Sequence, residues 1–376
     1  MKYRELNGTE VSQLGFGCMR FPILDGDIAN IDEVKSTEMI RYAIDNGVTY
    51  IDTAYPYHKG MSEKFVGKAL QDGYREKIKL ATKSPSWLIK SYEDFDKYLN
   101  EQLENLQTDY VDFYLIHALD RNKWENVKKH GVFKFMDAIK KDGRVKNIGF
   151  SFHDSIDLFK EIVDSYEWDF CQIQFNYIDE NYQAGLEGLN YAASKDIGVV
   201  IMEPLRGGKL VNNLPNDILD KFNCCNKNQS PAAWGFRYLW NYPQVKVVLS
   251  GMSEMAHVKE NIKIADKAHV DCLNENEKKT LEEVQTIFHD RILVDCTACK
   301  YCMPCPQGVD IPDNFEILNQ ASLFDDFESA KKIYEKNLTV EEKASNCIEC
   351  GKCEKACPQH IEIRSMLKEV VKKFEK

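Results

Sequence analysis

The sequence lacks the features by which membrane, secreted and nucleic-acid-binding proteins are usually recognised. No run of apolar residues approaches the roughly 20 that a helix needs to cross a bilayer, and the opening stretch MKYRELNGTE has no apolar signal core. Positive charge is not in excess either, because the 376 residues carry a formal net charge of −11. Such an acidic chain argues against a nucleic-acid groove and a basic membrane-binding face. We therefore expect a cytoplasmic protein that spans no membrane and binds no nucleic acid.

The glycine fingerprint of an open dinucleotide-binding sheet is also missing. Such a sheet needs three spaced glycines between its first strand and helix, and here only Gly15 and Gly17 occur. Instead, eight short apolar runs alternate with amphipathic helical patterns, which is typical of a parallel α/β sheet. Eight such units in about 265 residues predict a closed (β/α)8 TIM barrel. The runs begin at Leu14, Val48, Ile78, Val111, Val145, Phe170, Gly198 and Val245.

Cysteine is abundant but unevenly distributed, since eight of the 13 residues lie in two blocks near the C-terminus. The second block matches the bacterial ferredoxin run C-x2-C-x2-C-x3-C-P, whereas the first has only two residues before its last cysteine. Two [4Fe–4S] clusters are favoured over two zinc sites, because both blocks end in Cys-Pro. In two-cluster ferredoxins the fourth cysteine of each run binds the other cluster. The predicted ligand sets are Cys296, Cys299, Cys302 and Cys357, and Cys347, Cys350, Cys353 and Cys305.

The cysteine blocks also divide the chain. A hairpin with Asn7-Gly8 at its turn precedes the barrel, and Leu119 to Gly131 is interpreted as a loop. The long helical spacer between the blocks resembles α-helical ferredoxin subdomains of larger redox enzymes. The predicted domains are a barrel over 1–270, a linker helix over 271–292 and a mainly α-helical dicluster ferredoxin-like domain over 293–376.

Four ionisable residues lie at or just beyond successive strand ends. Asp52 ends the second run and Tyr57 follows it, while Lys83 and His117 end the third and fourth. Catalytic groups of TIM barrels lie at this end of the strands, so we expect the four to converge. The ammonium of Lys83, held by Asp52, should lower the pKa of Tyr57 from its free value of about 10. The set suits proton delivery to a carbonyl oxygen that His117 orients, while hydride reaches the carbon.

Four separated motifs resemble those of the aldo-keto reductase family, in the family's order. They are VSQLGFGCMRFP, IDTAYPYHKGMSE, LATKS and LQTDYVDFYLIH, and the resemblance covers roughly residues 1–265. It implies an NAD(P)H-dependent oxidoreductase that reduces a carbonyl or oxidises an alcohol. Tyr57 would be the general acid, supported by Lys83, Asp52 and His117. The chain departs from the family at His58, where glycine is usual.

The same resemblance implies that NAD(H) or NADP(H) binds in extended form across the barrel mouth. Ser151 and Gln172 would hold the nicotinamide carboxamide, and Met202 replaces an aromatic ring that relatives often place against the nicotinamide. The stretch GMSEMAHVKEN lacks an arginine for a 2′-phosphate, which favours NADH. The expected cofactor contacts are Gly17, Met19, Ser151, Gln172, Met202, Leu205, Gly207, Gly208, Gly251, Ser253, Glu254, His257 and Asn261.

Combining a hydride site with clusters raises a mismatch in electron number. A hydride carries two electrons, whereas each cluster normally takes one, and a flavin usually mediates between the two kinds of transfer. No flavin motif occurs in the sequence, although a phosphate site of the barrel could hold FMN. The first hypothesis is a reductase of small carbonyl compounds that exchanges electrons with a redox partner protein through its clusters. The second is an ordinary reductase with structural or oxygen-sensing clusters. The third is a non-catalytic nucleotide-binding subunit that carries electrons or regulates.

Overall fold

The computed structural model describes residues 1–212, 214–296, 298 and 300–376. These form two compact units, one of Met1–Val211 with Gln229–Glu275 and one of Asn212–Asn228 with Asn276–Lys376. The domain boundaries at 270 and 292 stay predictions, and the segment Asn212–Asn228, which was assigned to the barrel, groups with the C-terminal unit. No helix in the described part of the chain is long and apolar enough to cross a membrane.

The first unit contains a closed barrel of parallel strands, which confirms the predicted fold class. Its strands are β3 (Leu14–Gly17), β4 (Tyr50–Asp52), β5 (Lys79–Ser84), β6 (Val111–Leu119), β7 (Val145–Phe152), β8 (Phe170–Gln174), β9 (Gly198–Met202) and β10 (Val245–Ser250). They follow one another in chain order around the barrel, and β10 pairs with β3 to close it. All their carboxyl ends therefore meet at one mouth, where the predicted site residues lie.

A hairpin covers the opposite end of the barrel. Its strands β1 (Tyr3–Leu6) and β2 (Thr9–Ser12) are antiparallel, and the turn at Asn7 and Gly8 has the positive φ angles of 47° and 70° that a tight hairpin requires. Leu6 and Val11 are fully buried in one cluster with residues of the barrel interior. The predicted hairpin is thus confirmed, and it leaves the carboxyl end of the barrel for ligands.

Helices connect the strands. Ser91 forms a capping box with Asp94 at the start of one of them, and Ser230 caps the helix that begins at Pro231. The helices are α1 (Glu33–Asp45), α2 (Ser62–Ala69), α3 (Tyr92–Leu106), α4 (Arg121–Lys129), α5 (Val132–Lys141), α6 (Ile156–Val163), α7 (Gly185–Ser194), α8 (Lys209–Asn212), α10 (Pro231–Trp240) and α11 (Met255–Lys267), with α9 described below. The interpretation of Leu119 to Gly131 as a loop was wrong, because α4 lies there, capped by Asp120.

The C-terminal unit is helical in its described residues. It contains α9 (Asn216–Asn226), α12 (Glu275–Asp290), α13 (Ile311–Phe324), α14 (Phe327–Asn337), α15 (Lys352–Ala356) and α16 (Ile363–Phe374). Phe315, Tyr334 and Val370 are buried in its apolar core, and partly buried cysteines pack against the same core. On the same helix as the fully buried Tyr334, the neighbouring Ile333 is 39% exposed.

Candidate functional site

The ends of β4, β5 and β6 bring the four predicted catalytic residues together. The fully buried ammonium of Lys83 donates to Asp52 Oδ1 at 2.7 Å, to the Thr53 carbonyl at 2.8 Å and to the Tyr57 hydroxyl oxygen at 3.3 Å. Three acceptors match its three N–H groups. Since the phenol accepts from Lys83, its own proton remains available for donation. The His117 ring stands edge-on to that of Tyr57, with centroids 6.2 Å apart.

The protonation of this group differs from the expectation in one respect. Burial raises the pKa of Tyr57 above its ordinary value, although Lys83 opposes the rise. The expected lowering was wrong because desolvation of a buried phenolate outweighs the attraction of one ammonium. Burial acts to lower the pKa of Lys83, but Asp52 and Tyr57 more than compensate and raise it. The resting site therefore holds a neutral phenol beside a charged ammonium.

His117 owes its position to an irregularity in β6. The pairing of β6 with β7 shifts between Ile116 and Leu119, and Ala118 has a positive φ of 51°. Ser151 secures this bend by accepting a hydrogen bond from the Ala118 N–H at 2.7 Å. Burial and the charge of Lys83 hold the pKa of His117 well below its ordinary value, so the imidazole is neutral.

Among the predicted site residues, three buried polar atoms have no hydrogen-bond partner in the described part of the chain. They belong to Asp52 (Oδ2), His117 (Nδ1) and Gln172 (Oε1). Buried polar atoms are rarely left unpaired, so each marks a place where a ligand or water completes the site. The amide nitrogen of Gln172 lies 3.4 Å from the Met202 sulfur, and its free oxygen can accept from a carboxamide N–H. These atoms fit a nicotinamide.

A network of buried polar side chains supports β5, and the sequence did not reveal it. Gln102, on α3, donates to Glu63 Oε1 at 2.6 Å and to the backbone carbonyl of Lys83 at 3.0 Å. Glu63 also accepts from Thr82 at 2.6 Å, and Tyr114 donates to Gln102 at 2.9 Å. All of these side chains are buried. The network fixes the strand that carries Lys83. Its only sequence signal is polar residues inside apolar runs.

Two glycines among the expected cofactor contacts face an arginine that the sequence did not single out. Arg20 belongs to the loop after β3, and its side chain lies against Gly207 and Gly251. A β-carbon at either glycine would stand 2.9 Å from an Arg20 atom. Its nearest acid, Glu203, is 3.9 Å away and both groups are partly exposed, so this pair holds it weakly. The motif VSQLGFGCMRFP, which contains Arg20, contributed to the family resemblance, but no role was predicted for this arginine.

The other expected cofactor contacts have varied surroundings. Gly208 has a positive φ of 95°, Gly17 ends β3, and Met19 is 52% exposed. Ser253 precedes α11 by two residues, and Glu254 is the N-cap of this helix. Asn261 is buried and donates to Ser250 Oγ at 3.1 Å. Leu205 and His257 are partly buried, and all these contacts stay predictions.

In the C-terminal unit, a cavity of about 170 Å³ is lined by cysteines of both blocks. Cys305, Cys347, Cys350 and Cys353, one predicted ligand set, all line it, together with Cys302. A space surrounded by thiols fits an iron–sulfur cluster, which thiolates hold. Among the described residues, no three of the types His, Cys, Asp and Glu are grouped closely enough to hold a single metal ion. In the other set Cys357 is buried and Cys296 is partly buried, whereas Cys299 lies outside the described residues.

A second aromatic ring borders the catalytic group. Trp87, in the short turn after β5, has its ring centroid 5.3 Å from that of His117, and 40% of this residue is exposed. The backbone carbonyl of His117 accepts from Ser86 at 2.6 Å, which ties this turn to β6. Trp87 therefore offers an apolar surface beside the imidazole of His117. It too was missed in the sequence.

Comparison with known proteins agrees with both parts of this description. Residues 13–278 match the profile of the Aldo/keto reductase family, and residues 295–362 match a 4Fe-4S dicluster domain. L-galactose dehydrogenase of Arabidopsis thaliana is 27% identical over 301 residues, which are 75% of this chain and 92% of that protein. The uncharacterized oxidoreductase YqkF of Bacillus subtilis (strain 168) is 26% identical over 321 residues, which are 75% and 96% of the two chains.

Solved structures show the same fold. Aldo-keto reductase AKR11C1 from Bacillus halodurans superimposes with a TM-score of 0.61 at 24% identity, over 75% of this chain and 96% of its own. The chain therefore belongs to the aldo/keto reductase family and carries a 4Fe-4S dicluster domain at its C-terminus.

Proposed function

We propose that the barrel reduces a small carbonyl compound, or oxidises the corresponding alcohol, with Tyr57 as the proton donor or acceptor. A nicotinamide dinucleotide, when bound, supplies or accepts the hydride. The observation that carries the proposal is the ammonium of Lys83, which bonds to both Asp52 and the Tyr57 hydroxyl inside the barrel mouth. An inert binding protein has no need for a buried cation that contacts a phenol.

In reduction, the chain's own residues would move one proton. Tyr57 starts neutral and gives its proton to the carbonyl oxygen, while Lys83 stabilises the phenolate that remains. Asp52 keeps Lys83 charged, since an unpaired buried ammonium loses its proton. The neutral imidazole of His117 lies beside the same hydroxyl and can donate a hydrogen bond to the carbonyl oxygen. The apolar face of Trp87 favours substrates with a hydrophobic substituent.

The dinucleotide would lie from the catalytic group towards the loops that follow β9 and β10. Gln172 would hold the carboxamide through its unpaired Oε1, beside Ser151 and Met202. We propose NADH over NADPH, because the last barrel helix begins without an arginine to grip a 2′-phosphate. Comparison of KM for the two nucleotides tests this preference, and a strong preference for NADPH would contradict it.

The matched variants Tyr57→Phe and Tyr55→Phe test the catalytic proposal. Both remove one hydroxyl group from the same loop, but Tyr55 bonds to the partly exposed Glu101 outside the catalytic group. With a panel of aldehydes and ketones, Tyr57→Phe should lower kcat by roughly 10²- to 10⁴-fold while nucleotide affinity, measured by fluorescence titration, stays unchanged. Tyr55→Phe should keep normal activity. If Tyr57→Phe changes neither turnover nor phenotype, the barrel is a non-catalytic binding subunit.

We further propose that two [4Fe–4S] clusters exchange electrons with the barrel's reaction and with a partner protein. The cavity lined by Cys305, Cys347, Cys350 and Cys353 supports one of the two ligand sets. When bound, such clusters carry electrons singly, so coupling to a two-electron hydride needs either both clusters or a flavin. Anaerobic purification with iron, sulfide and flavin quantified gives the cofactor content. If rapid mixing with NADH then leaves the clusters oxidised and no flavin is found, the clusters are structural or oxygen-sensing.

A further inference from the structure

The two cysteine blocks begin a longer internal repeat, and at one position the second copy has an arginine where the first has an uncharged residue. The sequences CPQGVDI and CPQHIEI begin at the fourth cysteine of each block and lead into α13 and α16, which begin at Ile311 and Ile363. The next residue is Pro312 in the first copy and Arg364 in the second. Proline has neither a charge nor an N–H donor. The two copies therefore differ in a cation at equivalent places.

Arg364 lines the cavity that holds the second set of cysteines. Its Nε and Nη2 atoms donate to Glu354 Oε2 at 2.8 and 2.7 Å, and its backbone N–H donates to Glu354 Oε1 at 2.9 Å. The remaining nitrogen, Nη1, lies over the backbone of Gly351, where a β-carbon would be 3.8 Å from it. Gly351 belongs to the cysteine loop and lines the same cavity. The guanidinium is thus fixed by Glu354 against the cysteine loop at Gly351, in the wall of the cavity.

We propose that Arg364 donates an N–H hydrogen bond to the cluster held by Cys305, Cys347, Cys350 and Cys353, and makes it the higher-potential cluster of the two. This inference rests on the proposed assignment of cysteines to clusters. Reduction adds one electron from a one-electron donor and makes the cluster more negative. A cation or an N–H donor beside it stabilises the reduced state more than the oxidised state, so the reduction potential rises.

Other differences between the two ligand sets act in the same direction or cancel. Lys300 lies between two ligands of one predicted set and Lys352 between two of the other, while Lys355 lies between Cys353 and Cys357, one ligand of each set, so the loop lysines do not distinguish the clusters. The two acids of the second block, Glu349 and Glu354, are each paired with a cation, Lys368 and Arg364. Cys350 is exposed, whereas Cys357 of the other set is buried. Solvent near a cluster also stabilises the extra negative charge. The first electron should therefore reside on the more accessible cluster, where a partner protein can collect it.

The test is an anaerobic redox titration of the purified full-length protein, followed by electron paramagnetic resonance. The unmodified protein should show two one-electron steps at different potentials. Arg364→Gln should move the higher step to a more negative potential and leave the lower step unchanged. Glu354→Gln, which removes the anion that partly offsets Arg364, should move the same step in the opposite direction. Lys368→Gln is the matched control, because Lys368 lies one turn further along α16 and pairs with Glu349 at 2.7 Å.

Each outcome decides the matter. Equal potentials in the unmodified protein, or an Arg364→Gln change no larger than that of Lys368→Gln, would overturn the inference. Iron and sulfide contents show whether the Arg364→Gln protein contains both clusters. If it does not, the direction in which Glu354→Gln shifts the higher potential tests the inference instead. Cys350→Ser tests the cysteine assignment separately, since it should abolish the step that Arg364→Gln moves. Loss of the other step instead would show that the ligand sets themselves are wrong.

Discussion

Replacing Lys83 by methionine should destabilise the barrel chiefly through the carboxylate that it leaves behind. The side chains of Lys83 and Asp52 are 0% and 3% exposed and their charges are 2.7 Å apart. At an effective dielectric constant of about 20 their attraction is about 6 kcal/mol, much of which offsets the cost of desolvating both. Removing one partner of such a pair costs about 3–5 kcal/mol of unfolding free energy. The double variant Asp52→Asn/Lys83→Met should regain at least about 2 kcal/mol of this loss, because no buried charge remains.

Tryptophan fluorescence during urea unfolding measures this loss in the barrel alone. All five tryptophans lie in the barrel unit, so the signal excludes the C-terminal helices. The pH dependence gives a second test. Burial raises the pKa of Asp52, and without Lys83 nothing opposes the rise. The native state of Lys83→Met then binds a proton that the unfolded state has released, so its stability falls as pH rises above about 4.

The deficit of Lys83→Met relative to the unmodified protein should therefore be smaller at about pH 5 than at about pH 8. The reasoning fails if the deficit is the same at both pH values and the double variant is no more stable than Lys83→Met. In that case the loss comes from packing of the lysine stem and not from an uncompensated charge.

Three further predictions concern packing, a buried amide and pH. Gly67→Ala should cost about 1–3 kcal/mol by the same fluorescence assay, because a β-carbon would stand 2.5 Å from the carbonyl oxygen of Asn105 on α3. Asn314→Leu should cost at least about 2 kcal/mol and speed amide exchange in α13, since the buried Asn314 donates to two backbone carbonyls and accepts from Tyr334. Alcohol oxidation should accelerate as pH rises above neutral, because it starts from the Tyr57 phenolate, whose pKa burial raises above its ordinary value; carbonyl reduction, which starts from the neutral phenol, should not accelerate over the same range.

The strands of the barrel could be predicted because each is a short apolar run that is buried on both faces. The helix α4 could not, because it buries only Trp124 and Val127 and is otherwise polar. Such a helix has no apolar stripe to distinguish it from a loop. Its cap, Asp120, was visible in the sequence, but a single acidic residue before a polar segment predicts little.

The site residues divide in a similar way. Asp52 and Lys83 could be placed because each lies at the end of a strand. The ends of parallel strands in a barrel meet at one mouth whatever side chains they carry. Gln102 and Arg20 could not, since their contacts depend on how a helix packs on the barrel and on the course of a loop. The role proposed for Arg364 depends on the cavity in the C-terminal unit, whose lining shows which cysteines lie near this arginine. The sequence pattern thus predicts the position of residues that strand geometry fixes, and it does not predict the position of residues that depend on how helices and loops pack.

The corrected pKa of Tyr57 bears directly on the proposed mechanism. A general acid must hold its proton until the substrate's oxygen becomes basic, and burial provides this by keeping the phenol neutral in the resting site. Lys83 contributes most when the phenolate forms, because its attraction to a charged oxygen exceeds its attraction to a neutral one. An interaction that is stronger in the transition state than in the ground state lowers the activation barrier, whereas an interaction of equal strength in both states does not. On this argument Lys83→Met should lower kcat far more than it raises KM, and the loss should be greater for reduction of poorly activated ketones than for aldehydes.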